Sequence, residues 1–322
     1  ANRLWKRFFG VGLIHSTDDW HNLEPSHPEL LEYLGRELVL RNYDLKRLVR
    51  FILNSHAYQR ETSARATPQS PSEKPLFAGQ PRRRLRAEQI VDGLYHAMGL
   101  PMEVGELNMD RDGGLGPDTF LNLGYPRKAW QYAALSNERD RPSLAIPRIQ
   151  AVIDVLKQFG WRPSRQDPLT DRDEAPHALQ SGILSNGILT IWLTRLSVDH
   201  GITAVCLEER SVEDLLEVVF LRLLTRRPTK KENKRFLALL AQGYPQRIIP
   251  TAERSPVAWP KKIPAVSWSN HLSPEANLIV IELEKRAREG DPPSNALNTA
   301  WRKHMEDILW ALINSPEILF VP

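Results

Sequence analysis

Apolar residues return at intervals of three and four along most of this chain, and nowhere do they alternate convincingly with polar ones. Ile149, Val152, Ile153, Leu156 and Phe159 make one such stripe, with Pro147 suited to a first helical turn and Gly160 to a stop. Leu45, Leu48, Val49, Ile52 and Leu53 make another, preceded by Asp44 as a cap. A period near 3.6 without a period of two predicts an all-α protein, a multi-helix bundle of about nine helices.

Local signals place most of those helices. Asn2 to Phe9 carries Leu4, Trp5, Phe8 and Phe9 and ends at Gly10. Ser26 with Glu29 forms a capping-box pattern before Leu30, Leu31, Leu34 and Leu38. That helix and the one after Asp44 are predicted to pair antiparallel. Ile90, Leu94 and Ala97 lie on a helix from Arg86 to Met98. Leu179, Ile183, Leu184, Ile188, Ile191, Trp192 and Leu196 spread around more than half a helix's circumference, which places that helix at the centre of the bundle. Ser211 with Asp214, and Thr229 with Glu232, open a helical hairpin turned at Pro228. Ser273 with Pro274 starts a helix that stops at Gly290, and Trp301, Met305, Ile308, Leu309 and Leu312 mark a last one that breaks at Pro316.

Two long irregular surface segments interrupt the pattern. Residues 60–85 are rich in Ser, Pro, Thr and Ala, and offer little to bury. Residues 243–272 are rich in proline, with Trp259 and Trp268 expected to anchor them to the bundle. The chain thus divides into an N-terminal helical hairpin region (1–59), an extended linker (60–85), a central helical core (86–242), an irregular Pro/Trp segment (243–272) and a C-terminal helical pair (273–322). Residues 100–126 are too dense in glycine and proline for a regular element.

Composition excludes several functions. A chain of 322 residues, 41% hydrophobic and 25% charged, has the length and content for more than one core. Its 43 Lys and Arg nearly balance 39 Asp and Glu, a mild excess that argues against nucleic acid as a partner. The Arg82, Arg83, Arg84 and Arg86 cluster is read as solvated or paired within the fold. Cys206 is the single cysteine, so the chain has no CxxC or CxxCH element for zinc or haem, and no cofactor of its own is expected. Asp110, Asp112 and Asp118 do not match the spacing of a calcium loop, and no metal site is assigned. No run is long and apolar enough for a membrane span. G-x-S-x-G is absent, and with it the case for a serine hydrolase. Beginning at Ala1 within an amphipathic pattern, the chain is read as a piece of a longer polypeptide.

The candidate site is the polar joint from Trp161 to Gln180. It holds Arg162, Arg165, Asp167, Asp171, Arg172, Asp173 and Glu174 beside Trp161, with His177 in the first turn of the next helix. Two readings stay open. Opposed charges at this density usually satisfy one another, which makes the joint an ion-pair fastener between two helices. Alternatively Arg162 and Arg165 face a cleft and bind an anionic polysaccharide, with Asp167, Asp171 or Asp173 as acid or base. His177 is read as a neutral hydrogen-bonding group, because a helix N-terminus disfavours its charged form. Trp20, Trp130, Trp161, Trp259 and Trp268 lie in or beside loops, as anchors or as stacking surfaces, whereas Trp192 and Trp301 sit on apolar stripes and belong to the core.

Six segments in order carry a resemblance: NRLWKRFFGVGLI, DDWHNLEPSHPELLEYLG, YDLKRLVRFILNSHAYQR, RRRLRAEQIVDGL, FLRLLTRRPTKKE and LWALINSPEILF. Together they resemble the planctomycete-type C-terminal domain of unknown function, the PSD-one family, of exported proteins that often also carry a cytochrome-c-like haem domain. The resemblance implies an exported location, in the periplasm or at the cell surface. It implies neighbouring domains of the parent chain, or another envelope protein, as partners, and haem only in such a neighbour. It implies no reaction. The expectation is a structural or interaction module, with binding or processing of anionic polysaccharide at 161–180 as the alternative.

Overall fold

A computed structural model of the chain describes residues 1–16, 20–62, 74–79, 82–102, 127–129, 131, 147–161, 175–261, 263–264, 266 and 270–321. The protein is all-α. Among the described residues twelve α-helices are present: α1 (Asn2–Phe9), α2 (Pro28–Leu40), α3 (Leu45–Leu53), α4 (Ala87–Met98), α5 (Pro147–Gln158), α6 (Ala178–Asn186), α7 (Ile188–Thr194), α8 (Gly201–Leu207), α9 (Val212–Leu224), α10 (Lys230–Leu240), α11 (Pro274–Glu289) and α12 (Thr299–Ile313). Extended pairing among them is limited to isolated bridges, including Ser197 with Pro293 and Ile248 with Leu297. The chain forms two compact units, Ala1–Arg84 with Val321, and Leu85–Phe320.

In the smaller unit α1 supplies Trp5 and Phe9, which stack with ring centroids 4.2 Å apart, and Phe77 meets both rings edge-on. Leu13, Leu34, Leu48 and Ile52 complete this core. Phe77 therefore comes inward from the stretch expected to offer little to bury. The buried Asn2 amide closes the loop after α1, donating from Nδ2 to Ile14 O and accepting the Ile14 N–H at Oδ1. Asp44 caps α3 by accepting from Arg47 N at 3.0 Å. Tyr33, early in α2, meets Phe51, late in α3, so the two helices run antiparallel as expected. The Ser26 cap is a correction. Both Ser26 N and Oγ donate to Leu13 O, and α2 begins at Pro28, which needs no hydrogen bond at the first helical position.

The larger unit buries one continuous core drawn from α4, α5, α7, α9 and α12, including Ile90, Leu94, Val152, Leu156, Trp192, Phe220, Trp301 and Leu309. Helix α4 lies against α5 and α9, and α12 against α7, α9 and α10. Ser211 accepts from Asp214 N, and Thr229 with Glu232 forms a reciprocal capping box, both as the sequence signals. Arg226 bonds Glu232 and Glu317 together, fastening the α9–α10 turn to the 3-10 turn Pro316–Leu319 and holding Glu232 down to about 2.

One expectation fails here, and one helix was not foreseen. The central helix is broken at Gly187, whose extended backbone separates α6 from α7, and Leu179 is largely exposed. The Thr190 hydroxyl donates to Leu184 O across the break, replacing the lost helical bond. Helix α8 has no cap signal in the sequence, because its N-cap is His200. The ring accepts from Ile202 N at Nδ1, so Nε2 carries the proton that it donates to Leu193 O at 2.8 Å.

Gly201, the first residue of α8, approaches Gly99 at the end of α4. A Cβ on Gly201 would stand 2.7 Å from Gly99 Cα and 2.9 Å from Met98 O, both backbone atoms that cannot swing aside. Gly201→Ala is expected to destabilise the fold by about 1–3 kcal/mol, read by urea denaturation. Burial, assisted by the charge of Arg222 and opposed by the bond to Leu193, holds His200 down to about 4. Below the ordinary value near 6.5 the unfolded imidazole takes a proton that the folded one refuses. His200 therefore contributes on the order of 3 kcal/mol above pH 6.5, lost progressively as pH falls to about 4. The difference in stability between wild type and His200→Asn, measured across that range, should narrow by this amount.

Candidate functional site

The seven residues singled out at the joint divide sharply. Arg162, Arg165, Asp167, Asp171, Arg172 and Asp173 lie outside the described residues, as does Glu174. Trp161 is buried in the core of the larger unit. Its N–H donates to Leu156 O while Gly160, with φ 84°, donates to Lys157 O, so Trp161 closes the end of α5 and packs over it. The far side of the joint is tied to the same helix end. Gln158 O accepts from His177 Nε2 at 3.0 Å and from Gln180 Nε2 at 2.9 Å.

The other singled-out residues have varied fates. Trp20 is half exposed, and Trp130, Trp268, Asp110, Asp112 and Asp118 lie outside the described residues. Trp259 is 52% exposed, and polar bonds such as Arg254 Nε to Ile249 O and Asn295 Nδ2 to Ser255 O hold its segment. Arg83 donates to Arg7 O. Among the described residues no three His, Cys, Asp or Glu side chains lie together in a way that could hold a metal ion, and no helix is long and apolar enough to cross a membrane. Cys206 is buried, with burial pushing its thiol up to about 12, which leaves it inert.

Elsewhere in the larger unit a small cleft, open to solvent at its mouth, is lined by Tyr95, Leu100, Pro101, Arg148, Trp192, Arg195, Ser197 and Asp291. Each side chain has a local cause. Trp192 is held by its indole N–H, which donates to Ala287 O at 2.6 Å near the end of α11. Arg195 is the extended residue that follows α7, and it donates from Nη1 to Glu289 O. Arg148, in the first turn of α5, places its guanidinium carbon 5.2 Å from the Trp192 ring centre and its Nη2 2.6 Å from Asp291 Oδ1. Gly290 brings Asp291 into position with φ 69° and ψ −170°. Sequence reasoning assigned Trp192 to the core and missed the rest. The lining comes from four distant stretches, and no motif links them.

Against known proteins, the family model "Protein of unknown function (DUF1553)", PSD1, matches residues 1–240. The chain belongs to the PSD1 family. No curated protein and no solved structure matches it. The PSD1 match takes in α1 to α10, so it includes Arg148, Trp192 and Arg195, whereas Asp291, which holds Arg148, lies beyond it.

The backbone at Gly290 is one that side chains rarely tolerate, and a Cβ there would stand 2.8 Å from Trp192 Cδ1. Gly290→Ala is expected to cost about 1–3 kcal/mol and to shift the Trp192 ring, measurable by denaturation and by near-UV circular dichroism.

Proposed function

We propose that this chain is a structural or interaction module of a larger exported protein, standing in the periplasm or at the cell surface beside haem-bearing or ligand-binding domains. Its partner is a neighbouring domain of the parent chain or another envelope protein. Any haem chemistry belongs to such a neighbour, because the single cysteine here is buried and has no second cysteine or histidine motif to attach a haem.

One observation carries this reading. At the tip of the α2–α3 hairpin Val39, Leu40, Tyr43 and Leu45 are exposed by 56, 66, 66 and 55%. Apolar side chains concentrated on one surface mark an interaction site. Asn42 and Tyr43 both hold left-handed backbone, at φ 50° and 59°. For tyrosine that conformation costs on the order of 1–2 kcal/mol, and here it supports no burial of the ring. Such strain is retained where presentation of the side chain matters more than stability. The polysaccharide alternative at 161–180 rests on residues outside the described ones and gains no support from the geometry.

The test places benzoylphenylalanine at Tyr43 in the full parent protein and exposes it to light in the producing cell. A discrete crosslinked product is expected, absent when the label stands at exposed Glu253 in the larger unit. Equal yields at the two positions would sink the proposal. The triple change Leu40→Ser, Tyr43→Gly, Leu45→Ser should abolish that product while the thermal midpoint stays level or rises, since no buried contact is lost and one strained residue is relieved.

A further inference from the structure

We infer that the exposed face of α10 docks an anionic polysaccharide, a slender sugar chain carrying carboxylate or sulfate groups. The face belongs to the larger unit, so it is a surface distinct from the hairpin tip of the smaller one. Lys230, Lys231, Lys234 and Arg235 are all exposed, whereas Leu240 is buried and Phe236 and Leu237 pack against the core. At 3.6 residues per turn the four cations fall within one sector of roughly 140°, on the side away from those three apolar residues. They stand in two rows, Lys230 with Lys234 and Lys231 with Arg235, the members of each row being neighbours one turn apart.

These charges are unanswered. From Arg226 to Leu240 the only acid in the sequence is Glu232, and it bonds Arg226 and Thr229. Glu217 serves Arg227, and Glu317 serves Arg226. Among the described residues none of the four cations has an ion-pair partner. Other helices treat their cations differently: Glu282 with Arg286, Lys285 with Glu289, and Arg302 with Glu306 are each matched four residues apart. In α10 both four-residue pairs are like-charged, which destabilises a helix. Lys230 and Lys231 also occupy its first turn, where the helix dipole disfavours a cation. A helix that keeps such locally unfavourable choices together on one open face is arranged for something outside itself.

The residue types on the face select among anionic partners. Besides the four cations the exposed residues of α10 are Ala238 and Leu239, so the face has no aromatic ring. Protein interfaces centre on aromatic anchors and are poor in lysine, and three of these four cations are lysines. A helix lying in a membrane needs an apolar face free to enter lipid, and that of α10 is spent on the core. Single-stranded nucleic acid is held by stacking on rings, and the near balance of 43 cations and 39 acids over the chain leaves no wider basic field for a duplex. Lysine holds an anion as a point charge, without the fixed fork of arginine. A sugar chain of repeated carboxylates or sulfates therefore fits between the two rows.

Isothermal titration of the full parent protein with heparin and with polygalacturonate, against neutral dextran, duplex DNA and phosphatidylglycerol vesicles, tests this. At least one of the two anionic polysaccharides is expected to bind at low salt with Kd below about 100 μM, and tighter than the dextran, the DNA or the vesicles. The one preferred identifies the anionic group. The logarithm of Kd should rise with the logarithm of salt concentration at a slope of about 3, as four contacts require. Lys230→Gln combined with Lys234→Gln should weaken binding about tenfold and lower that slope by about 1.5. Its thermal midpoint should stay level or rise, because a repulsive pair and a cation in the first turn are removed. Arg288→Gln combined with Lys303→Gln, at exposed positions of α11 and α12, makes the same change in net charge and should alter Kd by less than about twofold. Absence of binding by both polysaccharides, tighter binding of DNA or vesicles, or an equal loss in the two double variants would each overturn the assignment.

Discussion

The larger unit is held together by the need to satisfy helix ends that are buried or abut other helices. The last carbonyls of a helix have no partner within it, and without water each must find a donor elsewhere. Here the donors come from distant side chains. Trp192 closes α11 at Ala287, Trp301 closes α10 at Leu240 and Trp310 closes α6 at Ser185. His200 closes α7 at Leu193, and Arg247, lying over Tyr244, closes α8 at Cys206 and Glu208. Each bond joins two elements as well as ending one, so short helices that would be marginal alone become fixed parts of one core.

This arrangement gives the tryptophans two roles at once. Trp301 fills the interior with its ring and spends its N–H on a neighbouring helix, so its own buried donor is satisfied. Trp192 does the same and also forms the floor on which Arg148 rests. The cleft is thus a by-product of how α7 and α11 are joined. Its shape follows from packing, which sets Arg148 over the Trp192 ring and pairs it with Asp291.

What could be read from the sequence was what local chemistry decides. Asp44, Ser211 and the Thr229–Glu232 pair act within four residues of themselves, and each caps its helix as its residue type requires. Ser26 looked the same but was drawn to Leu13 O by a loop that only the folded unit brings near. The interruption at Gly187 was hidden, because the apolar stripe runs through it and the hydroxyl that makes it tolerable lies three residues on. The cleft was illegible for a different reason: Arg148, Arg195 and Asp291 carry no mutual spacing, and Trp192 has the same pattern as any core residue. The charged joint drew attention by its density, yet among its described residues Trp161, His177 and Gln180 serve to tie α5 to α6.

The meeting of Gly99 and Gly201 limits how this sequence can drift. Where two large side chains touch, one can shrink as the other grows, and a lineage can exchange volumes between them. Here both partners are already the smallest residue, so neither can give way to accommodate its neighbour. Any descendant that enlarges one position must shift the backbone to do so, and the approach of the end of α4 to the start of α8 therefore has little freedom to diverge.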